Sequence, residues 1–298
     1  MSITSAMFTG VSGLLSNAEA INVIGNNLAN VNTVGFKSGR MLFSDMLSAN
    51  IGNDSQIGRG IQIQKVDNIY SQGTFETTES ATDLALQGNS FFALAPPNTA
   101  DATVTNQDVA YLSRAGAFSV DNSFHLVNPD GYEALDAAGG KPIKFLSVNG
   151  ATAGDFSKVT KIDSAGVITY TDVLGNSYFY NGNAGAALAA TSTNYAAALT
   201  AGAIAVVNPP NPGGLTKVGG TLFKSTAASG IPAAVFAVAT NRANGTSEKI
   251  FSNSLEQSNV DMAAQFVKMI LTQRAYSANS KTITTADDMT QEVLNLKR

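Results

Sequence analysis

Cysteine is absent from the sequence, and histidine occurs once, at position 125. Without thiols there is no disulfide, no thiolate metal site and no cysteine nucleophile. A single imidazole excludes sites that need two, among them the common catalytic zinc arrangements. Charge is scarce as well: 18 Lys and Arg with 22 Asp and Glu make up 13% of the 298 residues, where a soluble domain usually carries about 25%. The net charge of −4 leaves no basic footprint for nucleic acid or an anionic membrane surface. No run approaches the roughly 18 consecutive apolar residues of a bilayer span. The nearest stretch, 184–207, is interrupted by Thr191, Ser192, Thr193, Asn194 and Thr200. The first residues lack the basic region and compact apolar segment of a secretory signal, so none is expected. A monomer normally stays soluble through its charge, so a chain this neutral is expected to cover much of its surface with partners.

Apolar residues make up 44% of the chain, enough to bury a core, and the length is that of roughly two domains. The two ends read as helices. Met7, Val11, Leu14, Ala18, Ile21, Gly25 and Leu28 alternate steps of four and three, a heptad stripe. Glu19 is the only charged residue among the first 36, so the opposite face carries Ser, Thr, Asn and Gly where a surface helix carries charge. Near the other end, Ser258 or Asn259 is placed to cap a helix, with Asp261 in its first turn to suit the dipole. Met262, Phe266, Met269, Ile270, Tyr276, Ile283, Met289, Val293 and Leu296 follow along it. From 258 to 297 this segment is about 40 residues, roughly 60 Å as one helix, and such a helix needs a partner for its stripe. The N-terminal stripe is the other long one. The termini are therefore expected to pair as a coiled coil.

Between the helices the pattern changes to strands and turns. Ile61, Ile63 and Val66 alternate with polar residues. Residues 84–94 read as two strands around a Gly88-Asn89 turn. Short strands follow over 111–120, 124–127, 142–148, 159–162, 167–171 and 177–180, with turns at 121–122, 164–166 and 174–176. The stretch 173–216, which has no charge, reads as a small-residue β-rich or loop segment, with a self-association surface as the sharper alternative. The fold class expected is α+β: a discontinuous coiled-coil helical domain from both termini plus a central, mainly antiparallel β domain. Its parts are 1–32 with 254–298 for the helices, 33–85 for an extended connecting arm and 86–253 for the β domain.

Several blocks resemble a known family. Residues 24–37 (IGNNLANVNTVGFK) resemble the signature of the bacterial flagellar axial proteins of the rod and hook. Blocks 71–75 (SQGTF), 83–92 (DLALQGNSFF), 112–118 (LSRAGAF), 255–261 (LEQSNVD) and 273–276 (QRAY) agree with that family and keep its order, while 130–245 carry little of its signal. Within the family, 289–298 and 213–223 look most like hook members; the N-terminal block and QRAY are shared with the distal rod. The chain is short for a hook member, and the distal rod stays open as the alternative. The resemblance implies a structural, non-catalytic subunit that polymerises into a helical tube, the flexible joint between rod and filament. It also implies partners: further copies of the chain, the distal rod protein, the hook cap, the hook-filament junction proteins and the type III export machinery. Neither nucleic acid nor a membrane span is among them. The implied location is the flagellum, extracellular after export without a cleaved signal.

The residues themselves add roles. Asn26, Asn27, Asn30 and Asn32 are poor helix-interior residues, so with Gly35 they suit the end of the first helix and the start of the arm. They are also placed to bond neighbouring subunits, as Phe36 and Phe43 are placed to anchor the arm in a neighbour's apolar pocket. The subunit-interface residues expected are thus Met7, Val11, Leu14, Ala18, Ile21, Leu28, Asn26, Asn27, Asn30, Phe36 and Phe43. On the C-terminal helix they are Met262, Phe266, Met269, Tyr276, Ile283, Val293 and Leu296. Enzyme readings find little. His125 lies in a strand between Phe124 and Leu126, where an isolated His is usually structural. Asp287 and Asp288, adjacent on a helix, do not share a face. Gly182-Asn-Ala-Gly185 lacks the Lys and the strand-to-helix context of a phosphate loop. No catalytic residue, cofactor site or metal site is expected.

Overall fold

The computed structural model describes residues 3–52, 55–97, 104, 110–138, 140–145, 156–182, 188–231, 242–246 and 248–296. The described residues include three α-helices, α1 (Ile3–Ala29), α2 (Ser192–Ala201) and α3 (Met262–Leu296). The strands pair antiparallel, and the fold class is α+β. The chain divides into two compact units, one of residues 1–31, 37–69 and 260–298, the other of 32–36 and 70–259.

In the first unit α1 and α3 pack side by side. They run antiparallel, because Gly10 lies against Ile283 and Gly13, three residues on, against Asn279. The seam is made by small residues: a Cβ at Gly10 would come within 2.9 Å of the Ile283 side chain and one at Gly13 within 2.7 Å of the Asn279 amide. The buried residues of α1 are Gly10, Gly13, Ser16, Ala20, Ile24 and Asn27, again at heptad-like steps. The heptad expected to face α3 lies to one side of this line, with Met7, Leu14, Ala18, Ile21 and Leu28 half-buried and Val11 exposed. Two stripes share one helix at the same period, and close backbone approach selects the smaller residues. The first turn of α3 is capped by Asp261, whose carboxylate accepts from the Ala264 N–H at 3.1 Å, rather than by Ser258 or Asn259.

Residues 33–85, read from the sequence as an extended arm, divide between the two units. In the first they form a ribbon, Gly39–Asp45 paired with Ile61–Asn68, with a register shift at Leu42/Phe43. Ala49–Gly52 pairs with Ser55–Ile57.

The second unit centres on the strand Phe91–Ala95, every residue of which is buried. It pairs with Tyr111–Ser113, Glu133–Ala134 and Val206–Val207 within an eight-stranded sheet. Phe92, Leu94, Phe118, Leu126 and Phe145 pack on one side, while Phe91, Leu112, Leu135 and Phe223 form a second cluster. A four-stranded sheet runs Phe156–Ile162, Ile168–Asp172, Ser177–Phe179, Leu188–Ala189 in simple order, its first two turns falling where the sequence places them. The Gly88-Asn89 hairpin does not form. Leu84–Gln87 pairs instead with Lys249–Ser252, so the two apolar runs flank a corner and join different sheets. In the charge-free stretch, 192–201 is helical, and its Ala-rich composition favours that state. The strand expected over 142–148 is represented by bridges at Pro142 and Lys144; 146–148 lie outside the described residues.

Candidate subunit interface

The outer surface of the first unit is apolar to an unusual degree for exposed helix. On α1, Phe8, Val11 and Leu15 are 73, 41 and 62% exposed. On α3, Met262, Phe266 and Ile270 are about half exposed at the start of the helix, and Met289, Val293, Leu294 and Leu296 rise from 53 to 85% toward its end. Leu271 and Tyr276 are exposed between them. In a soluble monomer such residues occur singly, whereas contiguous patches mark contact surfaces. Phe8, Val11 and Leu15 join Met46, Ser5, Ser12 and Arg59 in lining an open apolar cleft of about 610 Å³. A smaller hollow of about 290 Å³ lies between Val23, Ile24, Met41, Phe43, Gln265 and Lys268.

The expected residues fall into three groups. Val11, Phe43, Met262, Phe266, Tyr276, Val293 and Leu296 are exposed, and so is Asn26. Met7, Leu14, Ala18, Ile21, Leu28, Asn30, Met269 and Ile283 are half-buried. Asn27 and Phe36 are buried within their own chain. The Asn27 amide accepts from the Gly39 N–H at 2.8 Å and donates to the Gly39 carbonyl at 2.7 Å, closing the start of the ribbon onto α1. It also donates to the Gln265 side chain at 3.4 Å. A buried amide needs such partners, and these come from this chain rather than from a neighbour. Phe36 packs in the second unit under Lys217, whose ammonium stands 4.6 Å from the ring centre; burial lowers the pKa of that lysine. Its ring is therefore not presented to a neighbouring pocket.

Sequence reasoning missed Phe8, Leu15, Met46 and Arg59. The signal was present, since Phe8, Val11 and Leu15 have the i, i+3, i+7 spacing of a second stripe. It also missed the ion pair in the second unit, although both partners lie in blocks that carry the resemblance. Arg114 and Glu256 meet at 3.2 Å with side chains 1 and 0% exposed. The guanidinium donates to the carbonyls of Leu86 and Gly88 and stands 5.0 Å over the Phe91 ring. Burial lowers the arginine pKa, and Glu256 offsets this. Glu256 accepts the Gly73 N–H on its side chain and the Gly35 N–H on its carbonyl. Gly35 has φ of 69°, and a Cβ there would lie 2.4 Å from the Ala115 nitrogen, so only glycine fits.

Paired terminal helices with an uncovered apolar exterior, in a chain whose second unit is an antiparallel β fold, define a structural subunit built for contact with other protein. Residues 252–296 match the family described as flagellar basal body rod FlgEFG protein C-terminal, and residues 7–37 match the family described as flagella basal body rod protein. Among relatives, the flagellar basal-body rod protein FlgG of Bacillus subtilis (strain 168) is 35% identical over 305 residues, covering 98% of this chain and 99% of its own. FlgG of Caulobacter vibrioides is 31% identical over 306 residues with the same coverage. The flagellar hook protein FlgE of Borreliella burgdorferi is 27% identical over 453 residues, again covering 98% and 99%. The chain belongs to the bacterial flagellar rod and hook family. It is a structural protein of the flagellum, not an enzyme.

Proposed function

We propose that the chain is a structural subunit of the flagellar hook, polymerising into a helical tube that forms the flexible joint between rod and filament. The observation that carries the polymer reading is the double use of the terminal helices. Their inner faces are spent on each other through Gly10 and Gly13, and their outer apolar residues remain uncovered. A contact between unlike faces of identical copies does not close on itself and propagates as a helix. Support for the hook comes from residues 213–223 and 289–298, which look most like hook members. The distal rod is a second reading with its own support. Alignment with the rod relatives spans 305 and 306 positions, close to the length of this chain, whereas the hook relative needs 453. The partners proposed are further copies, the distal rod protein at one end, and the hook cap and hook-filament junction proteins at the other. Export through the type III machinery delivers the subunit. The test is deletion of the gene in its host, with basal bodies examined by electron microscopy. A complete rod lacking a hook supports the assignment. An incomplete rod assigns the chain to the distal rod, and normal flagella refute both.

A further inference from the structure

All seven methionines of the chain fall in the first unit, and the second unit has none. The aromatic residues divide the other way: of 15 Phe and 8 Tyr, Phe8, Phe43, Phe266 and Tyr276 are those of the first unit. Rings build the fixed core of the second unit. Thioethers, flexible and polarizable, suit a surface whose partner arrives later. Three of them are open to solvent in the free chain. Met46, whose backbone N–H donates to the Gly60 carbonyl at 2.9 Å, is 37% exposed and lines the apolar cleft on α1. Met262 and Met289, toward the two ends of α3, are 49 and 53% exposed. Met7, Met41 and Met269 are half-buried.

We propose that Met46, Met262 and Met289 form a peroxide-sensitive modification site: their oxidation in the free subunit blocks assembly, and their reduction restores it. The proposal rests on the polymer reading above and adds a chemical control to it. The chain has neither cysteine nor tryptophan, so a two-electron oxidant such as hydrogen peroxide is consumed mainly at thioether sulfur. The sulfur attacks one peroxide oxygen, the O–O bond breaks, and the second oxygen leaves as water. A methionine sulfoxide reductase reverses the step with two electrons and two protons from a dithiol, releasing the bound oxygen as water. The sulfoxide oxygen is a strong acceptor, and an apolar contact offers it no donor, so covering it there is unfavourable. In the free subunit the same oxygen stays in water, because none of the three side chains is buried. Oxidation therefore acts on assembly and leaves the fold of the monomer intact.

The test starts from full-length monomer below its assembly threshold, treated with hydrogen peroxide, quenched and then concentrated. Peptide mass spectrometry reads which methionines have gained an oxygen, and sedimentation reads the threshold. Met46, Met262 and Met289 are expected to oxidise before Met41 and Met269, and the threshold to rise about tenfold or more. Treatment with the reductase and dithiothreitol returns it. A chain carrying Met46→Leu, Met262→Leu and Met289→Leu, of similar side-chain volume, is compared with itself: peroxide leaves its own threshold where it began. Oxidised chain that assembles at the untreated threshold overturns the proposal and leaves the polymer reading standing. A triple variant that peroxide impairs as much as the natural chain overturns it too, as does an oxidised monomer that melts below the untreated one. Should the triple variant not assemble, the reductase decides: a restored threshold supports the proposal and a lasting loss overturns it. Untreated chain that forms no tubes overturns the polymer reading, and the proposal falls with it.

Discussion

Replacing Arg114 with Met tests what holds the second unit together. The substitution keeps a long apolar stem over Phe91 but removes the guanidinium that pairs with the fully buried Glu256. The Glu256 carboxylate keeps the bond from the Gly73 N–H at 2.9 Å. The Leu86 and Gly88 carbonyls each lose a donor. Breaking one side of a buried pair costs about 3–5 kcal/mol, because the remaining charge stays in a medium that cannot solvate it. In a unit of this size each kcal/mol lowers the melting temperature by about 2–4 °C, so the expected drop is roughly 6–20 °C. Calorimetry of the full-length monomer at neutral pH reads it directly. Adding Glu256→Gln removes the buried carboxylate's charge while an amide oxygen still accepts from Gly73, so the double variant should recover part of the loss. A drop below about 2 °C, or a double variant less stable than the single, would refute the reasoning.

Gly35→Ala forces a Cβ into the Ala115 backbone at positive φ; a loss of at least about 2 kcal/mol is expected from strain alone, read as a lowered urea midpoint. Ile24→Asp places a charge at a position 8% exposed in the first unit; hydrogen exchange should show α1 and α3 losing protection while Phe91–Ala95 keeps it. At the 172–176 turn, burial pushes the Asp172 carboxyl up. Hydrogen bonds from the Asn176 side chain and from the Asn176 and Leu174 backbone N–H groups outweigh this and hold its pKa below the usual range. A depressed carboxyl contributes stability above its unfolded pKa of about 3.9 and loses it as pH falls through the folded value. The stability difference between the protein and Asp172→Asn should therefore be flat above about pH 4 and shrink in more acid solution. Burial and the Asp163 carboxylate push Tyr195 up to about 12. Its phenol should titrate late in a spectrophotometric titration, and the stability it contributes should disappear between about pH 10 and that value.

The helices and the antiparallel character of the middle were legible because both rest on periodicity, which is local. What periodicity does not carry is the choice between two faces of one helix. On α1 the apolar heptad and the line Gly10, Gly13, Ala20, Ile24 repeat alike, and only the approach distance of α3 decides which is inside. The Gly88-Asn89 turn was legible as a break but not as a corner between sheets. The partner of Leu84–Gln87 comes from 249–252, far along the chain. Asn27 could be recognised as an amide in need of partners, while Gly39, which supplies them, has no side chain to advertise the bond. The Arg114–Glu256 pair joins residues 142 positions apart, and nothing in either local segment points to the other.

The polymer is the central claim, and negative-stain imaging of the purified chain at rising concentration tests it most directly. The account predicts tubes or fibres with a regular repeat, appearing above a threshold concentration and lost when Val293 is replaced by Asp. Discrete particles of one size at every concentration, with α1 and α3 fully protected in that state, would contradict it.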